Sequence, residues 1–259
     1  MTLPSPSKEL GQHFLVDNNI LGVIGRLADL QPDDIILEIG PGPGGLTAYL
    51  ADRVAKVHAV ELDRRLQPYL EARFENSANV ELRFADAVAL DSAELDSPPT
   101  KLVSNLPYNV ATPLVVESLD GLPSVEQWTV MVQREVADRF FAAPSTKAYG
   151  AVSVLIQLAA ERTGFHPVSR TVFRPQPNVD SALVSFHRTG LSASYPEIKR
   201  VVEAAFAHRR KTLPNSLELS GLTSRERAAE ALTGIDRTPN TRAEALAPQE
   251  FVALTETLA

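Results

Sequence analysis

The chain has 259 residues, 44% of them hydrophobic and 22% charged, with a mean hydropathy of −0.07; a disordered, collagen-like or repeat-solenoid protein does not have this composition. No apolar run approaches the roughly 18 residues of a membrane-spanning helix, and the start, MTLPSPSKELGQHF, has no apolar stretch of secretory type, so a cytoplasmic protein without a membrane partner is expected. Zero cysteines exclude disulfides, thiolate metal sites, iron–sulfur clusters and cysteine nucleophiles, and no metal centre is expected.

In chain order, Ile20, Leu21, Ile24 and Leu27 recur at helical spacing behind Asp17, a good N-cap, and predict a helix from Asp17 to Leu30. Pro32-Asp33-Asp34 breaks it. Ile35–Ile39 is an apolar run of buried-strand type that ends in a glycine cluster, Leu46–Arg53 is helical in pattern, and Lys56–Glu61 is a second strand. Strand, Gly-rich turn, helix and strand make a βαβ unit. Further strands are predicted at Val80–Phe84, Lys101–Ser104 and Trp128–Val132, with room for a helix between each pair, which implies a parallel, doubly wound α/β sheet. Val152–Ala160 and Ala182–Phe186 read as a further helix and strand, after which the pattern is helical; a domain boundary is expected near Thr189-Gly190.

The net charge of −7 is unevenly spread: residues 187–259 hold 10 Lys and Arg against 9 Asp and Glu, whereas residues 1–186 hold 15 against 23. In the more basic tail, Arg209-Arg210-Lys211 make either a local phosphate-binding patch or a solvated helix face.

The first chemical motif is Gly40-Pro41-Gly42-Pro43-Gly44-Gly45, directly after the first strand. Small residues there let the backbone turn tightly and approach a ligand. Glu61, 21 residues past Gly40 at the end of the second strand, is placed for a carboxylate on ribose hydroxyls. The pattern fits NAD, FAD and S-adenosylmethionine alike. Pro41 and Pro43 remove two N–H groups, which weakens a pyrophosphate cradle and favours the one ligand of the three without phosphate. Asp86, just after the third strand, is either an acceptor for the adenine amino group or a turn residue.

The second motif, Asn105-Leu106-Pro107-Tyr108, ends the fourth strand and so lies at the carboxyl edge of the sheet, where open α/β folds bind ligands. The Asn oxygen and the Leu106 carbonyl can accept the two protons of an exocyclic amine while Tyr108 stacks on the ring that carries it. Orienting that amine toward a methyl sulfonium is a positioning task and needs no shifted general base.

Together with these, Gly11-Gln12-His13-Phe14-Leu15, Leu37–Gly42, Gln133–Ala137, Tyr149-Gly150, Phe173–Ala182 and Arg209–Leu213 resemble, in order and spacing, the ribosomal RNA adenine N6,N6-dimethyltransferases over nearly the whole chain. The resemblance implies a Rossmann-like S-adenosylmethionine-dependent methyltransferase domain over residues 1–189 and a small all-helical RNA-binding domain over residues 190–259, acting as a monomer and using two S-adenosylmethionine molecules per adenine. Leu106 and the run Arg209–Asn215 are closer to the KsgA-type enzymes, which dimethylate two adjacent adenines in the 3′-terminal hairpin loop of small-subunit rRNA during small-subunit biogenesis. A pre-ribosomal particle is then the expected partner. The alternative is the Erm-type enzymes, which modify large-subunit rRNA and confer macrolide resistance.

On this resemblance His13 and Leu15 lie against the methionine end of the cofactor, Gly40 and Gly42 beneath it, Glu61 on the ribose, and Asp86 and Ala87 on the adenine. Asn105 stands where cofactor and target meet; Leu106, Tyr108 and Phe173 complete the catalytic site, with Phe173 stacked opposite Tyr108. Arg209, Arg210 and Lys211 contact RNA. His13 departs from the family, which usually has Asn there, and Lys8 is the only basic residue of a short N-terminal arm. Two other classes account for less: an NAD-dependent oxidoreductase explains only the glycine turn and Glu61, and a non-catalytic assembly factor leaves the site residues without a use.

Overall fold

The computed structural model describes residues 2–90 and 92–259. Its elements in chain order are β1 (Phe14–Leu15), α1 (Asn18–Leu27), β2 (Ile35–Ile39), α2 (Gly45–Ala51), β3 (Lys56–Glu61), α3 (Gln67–Phe74), β4 (Val80–Phe84), β5 (Lys101–Asn105), α4 (Ala111–Gly121), β6 (Gln127–Gln133), α5 (Arg134–Phe140), α6 (Ala151–Ala159), β7 (Ala160–Val168), β8 (Phe173–Arg174), β9 (Ser181–Arg188), α7 (Tyr195–Phe206), α8 (Leu213–Leu219), α9 (Arg225–Gly234) and α10 (Pro248–Leu258). No helix among the described residues is long and apolar enough to cross a membrane.

Two compact units emerge: residues 1–137 with 162–188, and residues 138–161 with 189–259. The division falls at Arg188/Thr189, and it also gathers residues 138–161 with the helices of the tail. Within this second unit the Tyr149 hydroxyl donates to the Leu246 carbonyl at 2.8 Å, and Tyr195, Leu213, Leu217, Leu232 and Phe251 are fully buried around it.

The first unit is built on a sheet in the order β4-β3-β2-β5-β6-β9-β7. β2 pairs in parallel with β3 and β5, β3 with β4, and β5 with β6. The near-continuous apolar runs of β2 and β3 are what a strand covered on both faces requires, and Ile36, Leu37, Val57 and Ala59 are accordingly inaccessible to solvent. Asp17 caps α1 by accepting from the Asn19 N–H at 2.8 Å, as its position predicts.

The structure departs from the sequence reading in three places. β9 runs antiparallel to β6, so the sheet is mixed; alternation of helix and strand does not fix the direction of the last strands, and an antiparallel strand on a mainly parallel sheet is common. The helix expected over Val152–Ala160 ends at Ala159, and the chain continues directly into β7. Gly164 and Pro167 disguise that strand, and an edge position is where a strand tolerates proline. Finally, Phe14–Leu15 and Phe173–Arg174 pair as a two-stranded ribbon, Leu15 opposite Phe173, too short to be seen as a periodicity.

Candidate active site

The strand order reverses between β2 and β5, the switch point at which α/β sheets bind ligands. The β2–β5 ladder stops at the pair Leu37–Leu102. Beyond it the Ile39 N–H donates to the Ser104 hydroxyl instead, at 2.8 Å. The strands therefore part toward their carboxyl ends, and a cavity of about 260 Å³ opens there.

Its floor is the glycine turn. Gly40 has φ +72° and Gly42 φ +55°, conformations that L side chains rarely adopt. A Cβ on Gly40 would stand 3.3 Å from the Pro107 ring and one on Gly42 3.1 Å from the Phe14 ring, so both the turn and the space beside it require glycine. Glu61, at the end of β3, is buried and accepts from the Gly42 N–H at 3.0 Å and the Asp63 N–H at 2.9 Å, one bond to each carboxylate oxygen. Burial pushes its pKa up, opposed by these two backbone bonds. Each oxygen retains a second lone pair, and Glu61 lines the cavity, so the carboxylate can accept from a vicinal diol while it holds the turn.

Asp86 also lines the cavity, and its Oδ1 accepts from the Val88 N–H at 3.0 Å, capping a short turn over Ala87–Ala89. Asp86 is thus a turn residue through one carboxylate oxygen, and its second oxygen keeps its acceptor capacity at the cavity. Ala87 is beside it in the wall.

On the opposite side, Asn105 Nδ2 donates to the His13 carbonyl at 3.2 Å. That bond assigns the ends of the amide, since a carbonyl takes only a donor, and leaves Asn105 Oδ1 as an acceptor. Tyr108 is placed by its hydroxyl, 2.6 Å from the Ser181 hydroxyl, and its ring centroid lies 5.5 Å from that of His13. The His13 Nδ1 stands 2.7 Å from the Pro175 carbonyl; because that oxygen can only accept, Nδ1 carries the proton. Leu106 is buried, its N–H donating to the Met131 carbonyl at 3.1 Å.

His13, Gly40, Gly42, Glu61, Asp86, Ala87, Asn105, Leu106 and Tyr108 thus converge on one cavity. Two expected members do not. Leu15 packs against the hydrophobic core, and Phe173 is fully buried in that core with Ile24, Val168 and Leu183. Held by its pairing with Leu15, the Phe173 ring has no free face for a base; His13, and not Phe173, is the ring beside Tyr108.

In the second unit, Arg209, Arg210 and Lys211 are exposed in the turn between α7 and α8, rather than on a helix face. Arg209 donates to the carbonyls of Tyr149 at 3.2 Å and Lys147 at 3.4 Å, a tie the sequence does not reveal.

Sequence reasoning also missed Leu62 and Val88, which line the cavity while remaining 54% and 47% exposed. Apolar side chains so open at this cavity form a slot suited to a flat ring. Their positions, one residue after Glu61 and two after Asp86, are the only signal that points to them. Gln12 is a third: it donates to Asp63 at 3.0 Å and joins the N-terminal arm to the loop after β3.

The description Ribosomal RNA adenine dimethylase belongs to a family model that matches residues 5–259. The chain is 47% identical over 252 residues to a ribosomal RNA small subunit methyltransferase A of Rubrobacter xylanophilus, covering 97% of this chain and 94% of that one. A protein of the same description from Streptomyces coelicolor is 44% identical over 263 residues, covering 97% and 90%. Among solved structures, a dimethyladenosine transferase from Plasmodium falciparum superposes with a TM-score of 0.76 at 24% identity, over 93% of this chain and 96% of that one. The 23S rRNA methyltransferase ErmE superposes with a TM-score of 0.66 at 28% identity, over 95% and 99%.

Proposed function

Because the chain belongs to the ribosomal RNA adenine dimethylase family, we propose that it binds S-adenosylmethionine in the cavity at the β2–β5 switch point and dimethylates N6 of two adjacent adenines in the 3′-terminal hairpin loop of small-subunit rRNA. The observation that carries this reading is the Asn105 to His13 bond, which commits the amide nitrogen and leaves the amide oxygen as the acceptor of a residue that lines the cavity together with Tyr108. An oxygen acceptor beside an aromatic face recognises an amine on a planar base.

The cavity fits the cofactor by its own chemistry. Glu61 has lone pairs for the ribose diol, Leu62 and Val88 offer an apolar slot for adenine, Asp86 accepts from the adenine amino group, and the glycine turn lets the methionine part approach the backbone. S-adenosylmethionine supplies a methyl group on a positively charged sulfur, an electrophile that needs no further activation. Asn105 Oδ1 and the Leu106 carbonyl accept the N6 protons and orient the nitrogen lone pair, and Tyr108 holds the base against rotation. Each transfer would form an N6–carbon bond as the methyl–sulfur bond breaks, leaving S-adenosylhomocysteine and releasing one N6 proton to solvent, so after the first methylation one N–H remains for an acceptor and the same site serves the second.

The choice of small-subunit over large-subunit rRNA is supported by the relatives of higher identity, which are small-subunit enzymes, whereas the 23S enzyme is more distant. Arg209, Arg210 and Lys211 are proposed to contact RNA phosphates, the partner to be a pre-ribosomal particle, and the enzyme to act in the cytoplasm as a monomer. Mass spectrometry of rRNA from a deletion strain tests the assignment: dimethyladenosine should disappear from the small subunit and persist in the large one. Loss from the large subunit alone would replace this reading with the Erm-type one.

A further inference from the structure

A second cavity, of about 290 Å³, adjoins the first. Leu37 and Ile39 of β2 and Leu114 and Gly121 of α4 bound it, and it shares Ile39, Ala87, Val88 and Leu114 with the proposed cofactor site. Ala87 and Val88 thus line both cavities. Glu117, exposed, and Asp120, half-buried, are among its lining residues and give it an acidic side.

We propose that this compartment is a binding site for apolar, cation-tipped substituents carried on the adenine amino group of an adenosine ligand. The inference rests on the cofactor reading above, in which Asp86 accepts from that amino group. A singly substituted amine keeps one N–H for Asp86, and the substituent replaces the other proton beside Ala87 and Val88, which both cavities share. The walls supplied by Leu37, Ile39 and Leu114 suit an aromatic ring, and the Glu117 and Asp120 carboxylates suit an ammonium beyond it. The proposed cofactor carries no substituent on its adenine amino group to enter this compartment, so the site selects among synthetic or naturally modified adenosines rather than contributing to methyl transfer.

Gly121 gives a clean test. It ends α4 within the second cavity, and a Cβ added there meets nothing within 4 Å. Gly121 is exposed and lines the second cavity but not the first; Gly121→Phe therefore adds bulk at the compartment's wall without changing a residue of the cofactor cavity, and Gly121→Leu serves as a second variant should the larger ring disturb folding. Calorimetric titration would compare S-adenosylhomocysteine with its N6-(4-aminomethylbenzyl) derivative. The wild-type protein should bind the derivative at least as tightly as the parent; both variants should lose tenfold or more for the derivative and stay within twofold for the parent. Weak binding of the derivative to a wild-type protein that binds the parent would overturn the proposal, as would parallel losses for both ligands in the two variants. Failure of the wild type to bind S-adenosylhomocysteine itself would overturn the cofactor reading and this proposal with it.

Discussion

The Tyr108 and Ser181 hydroxyls stand 2.6 Å apart, and Ser181 is fully buried at the start of β9. The pair ties the ring to the sheet, and burial raises the phenol's pKa, so the hydroxyl is a neutral anchor and no proton donor to the reaction. Tyr108→Phe keeps the stacking face and loses a bond of about 0.5–1.5 kcal/mol; it should retain turnover to within roughly tenfold. Tyr108→Ala forfeits about 1–3 kcal/mol of base stacking and should fall further. Ser181→Ala should resemble Tyr108→Phe, and the double variant should add little, because both remove one interaction. Single-turnover methylation of small subunits measures all four. Equal inactivity of folded Tyr108→Phe and Tyr108→Ala would make the hydroxyl the working group.

Glu61 holds the amides of Gly42 and Asp63 and faces the cavity. Glu61→Ala should weaken S-adenosylhomocysteine binding by about 1.5–3 kcal/mol, on the order of 10-fold to 150-fold, through loss of a charge-assisted contact. RNA affinity should change much less. Unchanged cofactor affinity by calorimetry would remove Glu61 from the site.

Glu38 lies within β2, fully buried, and burial raises its pKa from 4.5 to about 8. Its protonated form is favoured by folding, and the sign of the pH dependence follows. Below pH 4.5 both folded and unfolded chains hold the proton and the folded state carries no penalty. Between pH 4.5 and 8 the unfolded chain ionises first, so stability falls as pH rises, by about 1.4 kcal/mol per pH unit and a few kcal/mol in all. Glu38→Gln, which cannot ionise, should match the wild type near pH 4.5 and exceed it in Tm at pH 8. A constant Tm difference across that range would show that Glu38 does not titrate in this way.

Phe173 packs in the core of the first unit. Phe173→Ala should accordingly cost about 3–5 kcal/mol of stability, read from the shift of a denaturant midpoint, and its loss of activity should track the unfolded fraction. A stable variant with selectively lost turnover would restore the ring to the target site.

Arg210 and Lys211 are exposed in the α7–α8 turn. If each neutralises one phosphate, replacing both by Ala should flatten the slope of log K against log salt for RNA binding by roughly 1.4–1.8 and leave cofactor binding intact. Arg209→Ala should in addition lower Tm, because its guanidinium ties the Lys147–Tyr149 segment. An unaltered salt slope in the double variant would return these residues to an ordinary solvated surface.

The sequence by itself determined the strands that build the site. β2, β3 and β4 occupy the predicted residues because uninterrupted apolar runs bounded by turn residues have few other ways to be buried. It also determined the chemistry available there: glycines at positive φ, a carboxylate at a strand end, and Asn105 and Tyr108 at another. Only the tertiary structure decided which residues face the ligand. Phe173 and His13 are both aromatic and both lie in recognisable motifs, yet a ladder across more than 150 residues of chain turns one ring into the core and the other to the cavity. The same holds for Leu62 and Val88, which lie in the loops that follow β3 and β4 and meet at one cavity, and for Ser181, which finds Tyr108 through the β6–β9 pairing. Local pattern encodes which residues are buried in a strand or helix, because burial follows the period of that element. The direction of a side chain at a strand end depends on partners distant in sequence, and no local period carries that information.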